Sequence, residues 1–206
     1  MKANSTMRKR PAQKRSEDTV HVILEASTQV LDTPREASVT TNHIAERAGV
    51  SIGSLYRYFA DKQGILTAVV RREAERQENR TSYVIDNWSG HDGDDLIRQV
   101  AAVGVHSFHG RRWVRGSLHK HLQEKDRFAR ELHALRYRIS LRLENKLVEH
   151  QPNAYRILDD AQRHAMLGGW SGIINAAVKY SPHDFDADAL KSQLVNLVNG
   201  YVRKSN

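Results

Sequence analysis

Cysteine is absent from the 206 residues, which removes disulfide cross-links, thiolate metal sites and cysteine nucleophiles in one step. Strand signals are missing too. No segment alternates cleanly between apolar and polar residues, and no Asn-Gly or Asp-Gly turn joins two β-branched runs. No apolar run approaches the roughly 18 residues of a spanning helix, and no apolar segment follows the basic N-terminus as in a secretory leader, so a cytoplasmic location is expected. There is no H-E-x-x-H, no G-x-S-x-G and no phosphate-binding glycine loop. The 11 histidines form no ligand set by local spacing. His106 and His109 share a helix face at i and i+3, whereas His119 and His121 at i and i+2 do not. Neither an enzyme nor a metal protein is expected, and no cofactor is implied.

What is present is positive charge and helical periodicity. Lysine and arginine number 32 against 24 acidic residues, a net charge of +8, which points to a polyanionic partner. A chain of this length holds one or two domains and can bury roughly 70% of its unfolded surface. Residues 1–15 carry Lys2, Arg8, Lys9, Arg10, Lys14 and Arg15 without an acid, so a disordered basic arm is expected there. The arm has two open roles, as a contact to phosphates or the minor groove and as a solvated tail. Turn signals at Ser89 to Asp94, Gly110, Lys125 to Asp126, Gln151 to Asn153 and Ser181 to Pro182 separate amphipathic segments. Helices are predicted at about 17–31, 41–48, 52–59, 62–86, 94–108, 112–122, 127–149, 154–179 and 186–202, an all-α chain of about nine helices.

The most informative stretch is TTNHIAERAGVSIGSLYRYFADKQGIL, Thr40 to Leu66. Thr40 or Thr41 can cap a helix whose Ile44, Ala45 and Ala48 lie on one face. Gly49 can take the left-handed conformation that closes it, Val50 plugs the corner, and Ser51 caps the next helix. In that second helix Leu55, Phe59 and part of Tyr58 point inward. Gly53, Ser54, Tyr56 and Arg57 stay outside, with side chains of the types that reach phosphates and base edges. Asp61 then caps a helix carrying Ile65, Leu66 and Val69. The stretch reads as a helix-turn-helix.

These residues, with ILEAS before them and GSLYRYF and DK after the turn, resemble the DNA-binding domain of tetracycline-repressor (TetR) type regulators over roughly residues 20–66. The chain departs from the usual family pattern at Arg35 and Glu36, at His43 and at Gly64. The resemblance implies three regions: an arm at 1–15, a three-helix DNA-binding domain at 16–62, and an effector-binding and dimerisation domain at 63–206. It implies a homodimeric regulator, a repressor, released from a palindromic double-stranded operator by a small molecule. By residue-level carry-over, Thr41, Asn42, Tyr58 and Lys62 match positions that grip phosphate or flank bases. Ile52, Gly53, Ser54, Tyr56 and Arg57 match the face laid in the major groove. Arg57 could pair with a guanine or hold a phosphate, the latter slightly favoured, while Ile52 offers only apolar contact, for instance to a thymine methyl.

The C-terminal half carries wide apolar stripes. Gly169, Ile173 and Ala177, then Leu190, Leu194, Leu197 and Tyr201, fall in the last two predicted helices, with small residues that let helices approach closely. In similar proteins these helices form an intersubunit four-helix bundle, so these residues are the expected dimer interface. The helices from about 94 to 180 enclose an effector cavity in such proteins. Candidate wall residues here are Phe108, Trp113, Tyr137 and Trp170, with His106, His109 and His133 as polar partners. Arg111, Arg112 and Arg115 read as a solvated helix start.

Overall fold

The computed structural model describes residues 14–31, 39–109, 126–180 and 186–204. Among them eight helices are found: α1 Lys14–Leu31, α2 Thr41–Arg47, α3 Ile52–Tyr58, α4 Lys62–Asn87, α5 Gly93–His109, α6 Asp126–His150, α7 Asp160–Tyr180 and α8 Ala187–Val202. The fold is all-α as expected; residues 1–13 of the arm and the helix expected at 112–122 lie outside the described residues, while Lys14 and Arg15, expected in the disordered arm, open α1. None of the helices is long and apolar enough to cross a membrane, and no group of three or more His, Asp or Glu among the described residues could hold a metal ion.

Packing divides the chain into two compact units, one running to Ala74 and the other beginning at Glu75. The boundary expected after residue 62 falls in the first turn of α4. Ile65, Leu66 and Val69 of that helix are buried with Ile23, Leu24 and Leu31 of α1, Ile44 and Ala45 of α2, and Leu55 and Phe59 at α3. The first unit follows directly from its sequence period. Val20, Ile23, Leu24, Ser27, Thr28 and Leu31 recur at three- and four-residue steps on α1 and are all buried. The two hydroxyls on this buried stripe are satisfied locally, Ser27 donating to the Ile23 carbonyl at 2.7 Å and Thr28 to the Leu24 carbonyl at 2.9 Å. Arg72 of α4 donates to Thr28 Oγ1 at 2.9 Å and to the Leu24 carbonyl at 3.1 Å, tying α4 to α1.

In the second unit α8 packs against both α5 and α7, and α6 against α7 and α5. The main core gathers Leu96, Ile97, Leu143, Leu147, Tyr155, Met166, Val198 and Val202, and a smaller cluster holds Ala101, Val105, Ile174 and Leu194. One expectation is corrected here. The helix predicted from 154 begins only at Asp160, because residues 151–159 form a strap held by other bonds. The Arg156 N–H donates to the Val202 carbonyl and the Lys204 N–H to the Ala154 carbonyl, both at 2.9 Å. Asp159 and Gln162 then cap each other, the Gln162 N–H donating to Asp159 Oδ1 at 2.8 Å and the Asp159 N–H to Gln162 Oε1 at 3.3 Å. That Asp-x-x-Gln spacing is a helix-start signature written in the sequence.

Two polar networks hold this unit together. Glu144 on α6 and Arg163 on α7 are buried and joined by two parallel bonds, Arg163 Nε to Glu144 Oε1 at 3.0 Å and Nη2 to Oε2 at 2.8 Å. Glu144 also accepts the Leu158 N–H, and Arg163 donates to the Leu158 carbonyl and the Tyr137 hydroxyl. With these partners the pair offsets its desolvation. The second network lies where the strap, the start of α5 and the end of α8 meet. Tyr155 donates to Asp94 Oδ1 at 2.8 Å, and Arg203 donates to both Asp94 oxygens. Gly93 is needed beside it, since a Cβ there would stand 2.5 Å from the Tyr155 ring.

Burial raises the Asp94 carboxyl, but hydrogen bonds from Arg203 and Tyr155 outweigh it and leave the group below its ordinary value. Burial, then the bond to Asp94, pushes the Tyr155 hydroxyl up to about 12. A tyrosine raised in this way contributes stability that is complete below its ordinary value near 10 and is lost as pH climbs through about 12. Denaturation midpoints measured from pH 8 to 12 should therefore fall more steeply for the native chain than for Tyr155→Phe. Parallel curves would show that the hydroxyl is not held this way.

Candidate nucleic-acid interface

The first unit presents α3 through a chain of capped turns. Thr40, in extended backbone, caps α2 by accepting the His43 N–H at 3.3 Å, so of the two threonines it is Thr40 that caps. Thr41 is left to reach across, and its hydroxyl lies 3.0 Å from that of Tyr56 on α3. Gly49 has a φ of +65°. Around it the Val50 N–H bonds to the Ala45 carbonyl at 3.0 Å and the Gly49 N–H to the Glu46 carbonyl at 3.1 Å, the paired bonds of a Schellman turn. Ser51 caps α3, accepting the Ser54 N–H at 3.1 Å, and its hydroxyl lies 2.9 Å from that of Ser54. Asp61 caps α4 by accepting the Gly64 N–H at 2.7 Å.

The turn dictates which side of α3 is outside. Leu55 and Phe59 are fully buried, while Ile52 and Tyr56 are 39% and 40% exposed. Gly53 and Arg57 are exposed and Ser54 is half-buried. Asn42 is exposed in the first turn of α2, and Lys62 is half-buried at the start of α4. The structure thus brings Thr41, Ile52, Gly53, Tyr56 and Arg57 onto the outer side of one capped unit. Tyr58, expected both to point partly inward and to sit among the phosphate or base-flanking positions, is 5% exposed and belongs to the core, with the Arg57 guanidinium 5.9 Å from its ring centroid. One contact went unforeseen in the sequence. Arg47 of α2 donates from Nε to Gln29 of α1 at 2.9 Å, a pairing across 18 positions that no local spacing announces.

In the second unit the residues expected at the dimer interface are half-buried within the chain, except Leu194. Leu194 has no exposed surface, so its side chain is unavailable to a partner. A Cβ on Gly169 would stand 3.1 Å from Leu197, which means these two face each other between α7 and α8. Ile173, Leu190 and Tyr201 pack partly against the chain's own core, and Ala177 is half-buried. The physical reason is that α8 packs on both α5 and α7, so one apolar stripe serves the interior. The outward row of α7 is Ala161, Ala165, Gly168, Gly172 and Ala176.

The expected effector residues scatter similarly. The Tyr137 hydroxyl donates to Asp160 and accepts from Arg163, whose guanidinium lies 4.9 Å from the tyrosine ring centroid. Trp170 packs against both core clusters and fills the space a Cβ on Gly104 would need. His106 is exposed, and His133 stacks on His164 with centroids 4.8 Å apart. Trp113, the side chains of Phe108 and His109, and Arg111, Arg112 and Arg115 lie outside the described residues.

A three-helix unit with a glycine-closed turn and an outward second helix defines a helix-turn-helix protein, and comparison with known proteins narrows the class. Residues 23–69 match the model of the bacterial regulatory proteins of the tetR family. An uncharacterized HTH-type transcriptional regulator of Mycobacterium tuberculosis is 38% identical over 63 residues, 31% of each chain. The HTH-type transcriptional repressor KstR of Mycolicibacterium smegmatis is 37% identical over 59 residues, 29% of each chain. The matched segments thus span under a third of these relatives. Likeness of fold extends further. A TetR transcription regulator from Haloarcula marismortui superposes with a TM-score of 0.71 at 14% identity, covering 90% of this chain and 99% of that one. SmeT, the repressor of the Stenotrophomonas maltophilia multidrug efflux pump SmeDEF, gives 0.64 at 17% identity, covering 92% and 94%.

The Gly49 turn makes a clean test of local strain. Nothing lies within 4 Å of a Cβ built there, so Gly49→Ala adds a backbone cost alone, about 1–2 kcal/mol. Gly49→Asn should cost less, since asparagine tolerates the left-handed region. Urea denaturation of the two variants checks the order, and equal stability of Gly49→Ala and the native chain would refute it.

Proposed function

We propose that the chain is a homodimeric, sequence-specific DNA-binding transcriptional regulator, a repressor that leaves an inverted-repeat operator when a small molecule binds its second unit. The observation that carries this reading is the outer face of α3, where Ile52, Gly53, Tyr56 and Arg57 stand outward from a helix whose other side is fully buried. A seven-residue helix reaches only a few base pairs. Two copies related by a two-fold axis, about 34 Å apart, read successive grooves of a palindrome and combine their contacts. The net charge of +8 favours the encounter through counterion release.

The outward row of small residues on α7, together with the exposed Ala189, Gln193, Asn196 and Gly200 of α8, supports association with a second copy. Small side chains allow close helix approach, and no charge is buried by it. The second unit takes the effector, and α4, whose residues contribute to both units, carries its influence. A ligand that prefers one disposition of α4 lowers DNA affinity by its differential binding energy, about 1–3 kcal/mol.

Arg57→Ala and Tyr56→Ala should each weaken binding to a duplex selected from genomic DNA by about tenfold or more, with helical content and mass in solution unchanged. Unaltered affinity in both would sink the assignment of α3. Gly172→Arg should halve the sedimenting mass while keeping the helical signal, because it places a charge in the contact between copies. A dimer of undiminished strength would move the interface elsewhere.

A further inference from the structure

We propose that the reading face of α3 recognises thymine by its methyl group, with Ile52 and the ring of Tyr56 as the specificity-determining side chains and Thr41 as the residue that positions Tyr56. This rests on the DNA-binding reading above and names the chemistry that reading would recognise. Ile52 and Tyr56 lie four positions apart and so share one face of α3. They are large apolar side chains left 39% and 40% exposed, on a helix whose inner side is closed.

The hydroxyls of α3 that could have competed for base edges are already engaged. The Ser54 hydroxyl is 2.9 Å from the capping Ser51 hydroxyl. The Tyr56 hydroxyl is 3.0 Å from Thr41 Oγ1, which ties the ring to α2 while the side chain stays exposed. Between Ile52 and Tyr56 stands Gly53, where a Cβ would meet only Ser51 Oγ at 4.0 Å. Space is therefore open for a groove wall to approach the backbone. The flanks are cationic: Arg57 is exposed, Lys62 follows, and the nearby Asp61 carboxylate is turned to the Gly64 N–H. An apolar pair framed by cations suits the floor of a major groove, where the thymine methyl is the apolar feature and phosphates line the rim. A protein partner needs a far larger contact area than two side chains supply.

The test uses the full chain and duplexes it selects from a randomised pool. Each thymine in a selected duplex is replaced in turn by uracil, which keeps the base pair and removes only the methyl. One or two positions per half-site should lose about fourfold in affinity each, the equivalent of one buried methyl, with no change in the steepness of salt dependence. Ile52→Ala should abolish the loss at one of these positions, and Thr41→Val should reduce it at the other, while Arg57→Ala leaves both intact. Because uracil alters the DNA and not the protein, misfolding cannot mimic the result. Duplexes that bind tightly yet ignore every uracil would overturn methyl recognition and leave DNA binding standing. Selection of no duplex at all would remove the DNA-binding reading and this inference with it.

Discussion

The left-handed backbone at Gly49 sets the direction in which α3 leaves α2, and the outer chemistry of the first unit depends on that direction. With φ at +65° the chain reverses within the Ala45 to Val50 hydrogen bonds, and Ser51 restarts it as a helix whose buried side is Leu55 and Phe59. A different exit angle would rotate α3 about its axis and exchange Ile52 and Tyr56 for residues that now fill the core. Short helices have little stability of their own. The caps at Thr40, Ser51 and Asp61, and the tie from Thr41 to Tyr56, hold what the helices could not.

The second unit solves a different problem, that of fixing long helices against one another when many apolar arrangements are near in energy. Leu, Val and Ile stripes favour contact without specifying register. The Glu144–Arg163 pair does specify it, because the carboxylate, the guanidinium, the Leu158 peptide and the Tyr137 hydroxyl are satisfied together only in one alignment of α6, α7 and the strap. Asp94, Tyr155 and Arg203 impose the same restriction where α5, the strap and the end of α8 converge.

On the proposed reading, affinity and specificity come from different residues. The net charge and exposed cations such as Arg57 attract any duplex and weaken with salt, whereas Ile52 and Tyr56 discriminate by fit and are insensitive to salt. The outward small residues of α7 leave room for a second copy, and pairing turns two weak contacts with short half-sites into one selective contact. Regulation would then act on the spacing of the pair, without altering the face itself.

Much of the first unit was legible beforehand because its signals are local. A glycine must stand where φ is positive, a serine or aspartate three positions before a free N–H caps it, and the period of Ile44, Ala45, Leu55 and Phe59 marks the buried side. The Asp159–Gln162 cap is equally local, yet the preceding strap, predicted as helix, is fixed by bonds to residues 202 and 204 that no local signal marks. Tyr58 could be assigned to either side of α3 by spacing, and only packing decided it. The stripe holding Leu194 and Leu197 was expected to meet a second copy, and within the chain the helix carrying it packs on α5 and α7, with Leu194 fully buried. Sequence alone determined the helical class, the capped turn and the outward residues of α3, because each depends on neighbours a few positions away. Tertiary structure decided which apolar stripe stays inside and which hydroxyls and charges are spent on each other. Those outcomes depend on groups brought together from 15 to 109 positions apart, and such meetings leave no local trace.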